Sequence, residues 1–388
     1  MKRDMISPTS NTSQQSRAED TRPWVVFHAP YPLEPGKPAA SKLRPVAMRK
    51  AFRELGYDVV DVTGYAPARR RAIHRVMKRI VSGDHPVCVY GENATIPSAL
   101  TEPRHVPVHP RLDMAFFRFC TRQGIPVGVF YRDIYWRFPR FRTHIPRPIE
   151  LGLQIAYRSE LLGYRYAGVH LFVPSEPMIP YIPFILHQYM SPLPPGSDSG
   201  VDITSSPSTS HVTFLFIGVL GDNYRLDEAF HAINHHDDAK LTLCVREETW
   251  QEWQSHYAPM ISAEKLRVVH VSGADLEPLY RDATVGLLLT QPHEYWDFAV
   301  PYKLYEYLAH QLPIVATQGT QTGRIVDDLG IGWTIENTES ALMNLIDHLT
   351  AHPEQIEAVR SRMREVLSSQ TWAARARTVI DVLTGETE

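Results

Sequence analysis

Lys303 and Glu306 lie three residues apart in Pro301-Tyr302-Lys303-Leu304-Tyr305-Glu306-Tyr307-Leu308-Ala309-His310, a stretch with helical periodicity. At that spacing the two side chains share one face of the helix. An ammonium there can meet a phosphate, while a carboxylate accepts hydrogen bonds from a ribose diol. Pro301 suits the first helical position, where its missing N–H costs nothing. The free first-turn N–H groups, with Tyr302 beside them, and the positive end of the helix dipole would then face an anion. The same two residues would also make an ordinary exposed helix pair worth only ~0.3 kcal/mol. Residue types alone leave both readings open.

The run after this helix, Gln311-Leu312-Pro313-Ile314-Val315-Ala316-Thr317, reads as a buried strand, and the same alternation of strand and helix runs through the chain. In the first half, strands are predicted at Trp24–His28, Tyr57–Val60, Val87–Tyr90, Val127–Phe130 and Val169–Val173, with helices at Leu43–Leu55, Arg69–Val81 and Leu112–Arg122. In the second half, strands fall near Val212–Ile217, Lys240–Val245, Leu266–Val269, Val285–Leu289, Pro313–Ala316 and Trp333–Ile335. Such alternation implies crossover connections and mostly parallel sheets covered on both faces. Ser191 to Ser210 is rich in Ser and Pro and holds almost nothing that could pack, so it is expected to be a linker. The resulting organisation is a disordered tail (1–22), a first domain (23–190), the linker (191–210), a second domain (211–370) and a last helix (371–388).

The segment from Pro301 to Thr317 resembles the C-terminal nucleotide-sugar signature of glycosyltransferases with the GT-B fold, in which a Lys-x-x-Glu-Tyr-Leu-Ala helix precedes a strand. The order of elements from Val212 to Leu349 is similar to the C-terminal half of such enzymes. Phe130-Tyr131-Arg132-Asp133-Ile134-Tyr135-Trp136 is similar to an acceptor-domain segment of some bacterial polysaccharide glycosyltransferases. The resemblance, to the family-1 and family-4-like group, implies an α/β protein of two doubly wound Rossmann-like domains facing a cleft, with the last helix crossing back to the first domain. It implies transfer of a sugar from a nucleoside diphosphate sugar to a glycan or lipid-linked acceptor in cell-surface polysaccharide or glycolipid synthesis. In one departure, many retaining members carry a first Glu eight residues before the second, and Phe298 stands there.

Ligands of parallel sheets bind beyond the carboxyl ends of the strands. On the second domain that rule selects Gly218–Asp222 with nearby Arg225, Arg246, Glu294 to Asp297, and the Tyr302-Lys303-Glu306 helix. Glu294 or Asp297 could stand in for the missing Glu. On the first domain, Asp133 follows the Val127–Phe130 strand and is the chosen general base for an inverting reaction. In a retaining reaction it would only position the acceptor. The competing reading is an Asp that caps the next segment or pairs with Arg132 or Arg137. Glu92 is the rival carboxylate, and His28 and Arg132 complete the acceptor side. Lys303, an arginine and a helix N-terminus can neutralise a leaving diphosphate, so no obligatory metal or cofactor is expected. A nucleotide-sugar epimerase and a non-catalytic partner subunit of the same fold are the alternatives, since fold does not fix function.

The 388 residues suffice for two domains with cores of their own. Cys88, Cys120 and Cys244 are scattered and read as packing residues rather than a disulfide framework or metal cluster. No run approaches the roughly 18 apolar residues of a membrane span, and Met1 to Thr21 lacks the apolar centre of a signal peptide. A cytoplasmic protein is expected. Residues 1–200 hold 27 Lys/Arg against 16 Asp/Glu, net +11, whereas residues 201–388 hold 13 against 27, net −14. The basic half faces an anionic partner. No zinc, RNA-recognition or recognition-helix signature accompanies that charge, which sets nucleic acid aside. Arg69–Arg79 and Trp136–Arg142 combine cations with apolar residues and fit an anionic membrane surface, at about 1 kcal/mol per basic residue. The plainer reading of each is a solvated face.

Overall fold

The computed structural model describes residues 22–33, 40–139, 142, 145–198, 200, 211–221 and 224–386. The expected tail, up to residue 21, and most of the linker lie outside them, as do Asp222, Arg140 and Phe141.

Six strands form the first sheet: β1 (Trp24–Ala29), β2 (Asp58–Thr63), β3 (Val89–Glu92), β4 (Val127–Phe130), β5 (His170–Val173) and β6 (Met190–Pro192). All are parallel, in the order β2-β1-β3-β4-β5-β6. Helices α1 (Ala40–Glu54), α2 (Ala66–Val81), α3 (Leu112–Arg122) and α4 (Arg147–Ala167) supply the crossovers. The second sheet is built from β7 (Val212–Gly218), β8 (Ala239–Val245), β9 (Leu266–Val269), β10 (Val285–Leu288), β11 (Ile314–Thr317) and β12 (Gly332–Ile335). It is also parallel, in the order β12-β11-β10-β7-β8-β9. Its helices are α5 (Asp227–His235), α6 (Glu247–Tyr257), α7 (Glu277–Asp282), α8 (Tyr302–Ala309), α9 (Gln321–Leu329), α10 (Glu339–Ala351) and α11 (Glu354–Leu367). The last helix is α12 (Trp372–Thr384).

The central strands are apolar on both faces because helices cover both, as a parallel sheet requires. Every residue of β1, Trp-Val-Val-Phe-His-Ala, is buried. Helix α12 leaves the second domain and lays Trp372, Ala376, Val379 and Ile380 into the cluster formed by Phe27, Phe52, Tyr90 and Phe172. Each such side chain contributes roughly 1.5–3 kcal/mol of burial, so the helix fastens the halves together. Gly128 makes room for it on β4: a Cβ there would stand 2.6 Å from the Phe172 ring and 3.0 Å from Leu383.

Three local expectations change. Residues 191 and 192 belong to β6, and Leu193 and Ser197 beyond it are buried, with Ser197 bridging to Thr371 beside α12. The start of the expected linker is therefore packed. The sixth strand is a short sheet edge ending in proline, where a missing N–H does no harm. Helix α4, the longest at 21 residues, has no counterpart among the predicted helices. Finally, Arg69 is almost wholly buried rather than part of a cationic surface, and the apolar face of α2 (Ala72, Ile73, Val76, Ile80) packs inward.

Candidate active site

The carboxyl ends of β1, β3 and β4 point toward the second domain, yet most polar residues there are already engaged. His28 on β1 is buried with its Nε2 2.9 Å from Asp113 Oδ1. Asp113 in turn takes Arg69 Nε at 2.9 Å and Nη2 at 3.0 Å. Burial alone would raise the Asp113 carboxyl, but His28 and Arg69 outweigh it and hold it below its usual value. His28 therefore closes an internal network. Glu92 at the end of β3 is fully buried. Its Oε1 accepts from Arg44 Nε at 3.0 Å and from the Tyr90 hydroxyl at 2.7 Å, and Arg132 Nη2 stands 3.6 Å from Oε2. Arg44 also lies over the Phe130 ring. This rival carboxylate is a structural ion-pair centre. Arg132 joins the network while keeping a partly exposed side chain, and its Nη2 reaches the Tyr31 hydroxyl at 3.4 Å.

Asp133 differs. Its Oδ1 accepts the N–H groups of Ile134 (2.7 Å) and Tyr135 (3.1 Å), so it does cap the next turn. Its Oδ2 accepts the Tyr295 hydroxyl of the second domain at 3.1 Å. Among the described residues no cation pairs with it. Burial pushes the carboxyl up to about 7, against the pull of the Tyr295, Ile134 and Tyr135 hydrogen bonds. A carboxyl poised there can take a proton near neutral pH.

Around this contact the two domains meet through aromatic rings. Tyr135 stacks on Tyr295 with centroids 5.2 Å apart. Phe138 and Tyr181 pack on Phe298 at 5.7 and 5.1 Å. Ser175 Oγ donates to the Phe298 carbonyl at 2.6 Å. Phe298, where the sequence resemblance would place a first Glu, is thus a buried wedge holding the domains together. Glu294 and Asp297 flank it and are exposed, and both lie close enough to Tyr181 to raise its phenol, after burial has done most of that. Tyr295 was not singled out in the sequence beyond belonging to the stretch from Glu294 to Asp297. The aromatic run Tyr295-Trp296 beside Phe298 was its available signal.

On the second domain, Pro301 is the cap preceding α8 rather than its first residue. Lys303 and Glu306 form a direct ion pair on the first turns, both partly exposed. Helix α8 is fixed beneath them by Tyr307, whose hydroxyl accepts from the Ile217 N–H (3.1 Å) and donates to the Leu215 carbonyl (3.2 Å). The Tyr307 ring lies over Gly286, where any Cβ would come within 2.5 Å of it. Arg246 caps α6 at the end of β8 with its side chain in solvent. The Tyr302 ring turns toward the first domain and stacks on Trp372 at 5.9 Å. Arg225 is held by both oxygens of Asp227 at 2.8 Å. Among the described residues no three His, Cys, Asp or Glu converge as metal ligands.

Residues 226–381 match the family model described as glycosyl transferase-like. No curated protein matches the chain by sequence. Among solved structures, the chain is similar to WaaG, a glycosyltransferase involved in lipopolysaccharide biosynthesis, with a TM-score of 0.56 and 12% identity over 93% of this chain and 100% of that one. HepE of Anabaena, solved in complex with UDP, gives a TM-score of 0.62 and 10% identity over 93% and 100%. The lipopolysaccharide outer core galactosyltransferase WaaB gives 0.55 and 11% over 94% and 99%. Identities this low speak for the fold, and the family match speaks for the segment that carries α8. The chain has the GT-B fold.

Proposed function

We propose that this protein transfers a sugar from a nucleoside diphosphate sugar to a glycan or lipid-linked acceptor in cell-surface polysaccharide synthesis. The observation that carries the reading is the placement of Lys303 and Glu306 on the first turns of α8, at the carboxyl edge of the sheet in the family-matched domain. HepE, of the same fold, was solved with UDP and with UDP-glucose, which favours a uridine diphosphate donor. On binding, Lys303 leaves Glu306 for the diphosphate and Glu306 turns to the ribose hydroxyls. Arg246 and the α8 N-terminus add positive charge, so the proposal assigns no metal.

Asp133 takes the proton of the acceptor hydroxyl as its oxygen bonds to the anomeric carbon, and the bond from that carbon to the diphosphate oxygen breaks. The electron pair leaves with the diphosphate. This step needs Tyr295 to release Asp133 Oδ2, so acceptor entry and loosening of the aromatic seam occur together. A panel of nucleoside diphosphate sugars titrated into the purified protein, followed by an assay of donor hydrolysis, tests the function. One panel member should bind and be hydrolysed slowly, whereas no binding across the panel would remove the reading.

A further inference from the structure

Helix α4 carries an apolar stripe that no part of the described chain covers. Leu151, Ile155, Leu162 and Tyr166 are 64, 59, 47 and 65% exposed, and their spacings of 4, 7 and 4 residues bring them onto one side of the helix. The inward side (Tyr157, Leu161, Tyr164) is buried in the first domain, so the stripe is additional to what the fold uses. Every fully exposed charge on α4 is an arginine: Arg147, Arg158 and Arg165. Among the described residues none of the three pairs with a carboxylate. The acids of the helix are withdrawn, Glu150 to Arg142 and Glu160 to the N–H and hydroxyl of Ser98.

At one end the stripe opens into a cavity of about 590 Å³ lined by Trp136, Arg137, Arg142, Leu151, Gln154 and Arg158. Leu151 and Arg158 belong to both features, which makes them one continuous surface.

We propose that α4 docks the first domain on an anionic phospholipid surface. The helix lies flat, with Leu151, Ile155, Leu162 and Tyr166 among the acyl chains near the headgroups, and lipid phosphates sit against Arg147, Arg158 and Arg165 and in the arginine-lined cavity. The occupant follows from charge. A row of unneutralised arginines along an apolar stripe complements an anionic sheet, whereas a second copy would bring like charges together. The two segments expected from sequence contribute unequally: the exposed face of α2 within the helix carries cations without an apolar stripe, whereas Trp136–Arg142 buries Trp136 and Phe138 but lends Arg137 and Arg142 to the cavity.

The test is sedimentation of the full chain with vesicles of phosphatidylcholine alone or with phosphatidylglycerol added. The wild type should bind the anionic vesicles, less so as salt is raised, and bind neutral vesicles weakly. Leu151→Ser with Ile155→Ser should lower binding about tenfold or more. Each of Arg147→Gln, Arg158→Gln and Arg165→Gln should cost about fivefold on anionic vesicles only. A control that removes the same charge from α2, with Arg70→Gln, Arg71→Gln and Arg75→Gln, should change binding less than twofold. The proposal is overturned if the wild type binds neither vesicle, if the α2 control loses as much as the α4 variants, or if velocity sedimentation finds a dimer that Leu151→Ser dissociates. No donor or acceptor enters this assay, so its outcome is independent of the transferase reading.

Discussion

The strand ends of the two domains treat charge in opposite ways. In the first domain His28 and Arg69 are matched to Asp113, and Arg44 and Arg132 to Glu92, inside networks with little access to water. In the second, Lys303 and Glu306 are partly exposed and pair with each other, and Arg246 is exposed. A buried pair must be satisfied where it is and cannot change partners at low cost. A partly exposed pair of neighbours on one helix can open for a ligand at lower cost. The first domain thus locks its charges into fixed pairs, and the second keeps its charges available. Asp133 is the exception at these strand ends, a carboxylate met only by neutral donors, one of them from the other half.

Two substitutions probe that contrast, one of them in two measurements. Asp133→Asn keeps the turn-capping oxygen but cannot accept a proton, so transfer should fall about a thousandfold while donor affinity stays within twofold. Near-normal transfer by this variant would make Asp133 a cap alone. Glu92→Gln leaves Arg44 buried without its counter-charge and should cost about 3 kcal/mol in urea unfolding, with donor affinity unchanged. A loss of affinity beyond the loss of folded protein would return Glu92 to the site. The smallest effect concerns pH. The Asp133 carboxyl lies at about 7 in the folded chain, above its unfolded value of about 3.9. The folded state therefore binds that proton more tightly, and the associated stability is full below about pH 4 and lost as pH rises through about 7. Asn does not titrate, so Asp133→Asn should gain thermal stability relative to wild type between about pH 4 and pH 8. A difference that does not change with pH would show that burial does not strain this carboxylate.

Much of the fold was legible because fully buried parallel strands leave short apolar runs, such as Val127–Phe130, between turn residues. Helix α4 was missed for a physical reason: Leu151, Ile155 and Leu162 add an exposed apolar stripe to the buried one, which blurs the amphipathic period. The edge strand Met190–Pro192 was hidden by its length and its proline. In the site, Lys303 and Glu306 were visible because their relation is local, three residues on one helix. The partners of His28 and Glu92 lie 85 and 48 residues away, and no spacing rule reaches that far. Both lie at a strand's carboxyl end, close to where Asp133 follows β4. Only packing tells a carboxylate that an arginine neutralises from one that a tyrosine touches across a seam.

Calorimetric titration of the nucleoside diphosphate sugar selected by the panel into wild type, Lys303→Ala and Glu306→Ala tests the central claim most directly. Loss of a charge-assisted contact to phosphate should weaken binding by about tenfold or more in Lys303→Ala, with a smaller loss in Glu306→Ala. Unchanged affinity in both variants, with circular dichroism showing them folded, would contradict the assignment of α8 as the donor site.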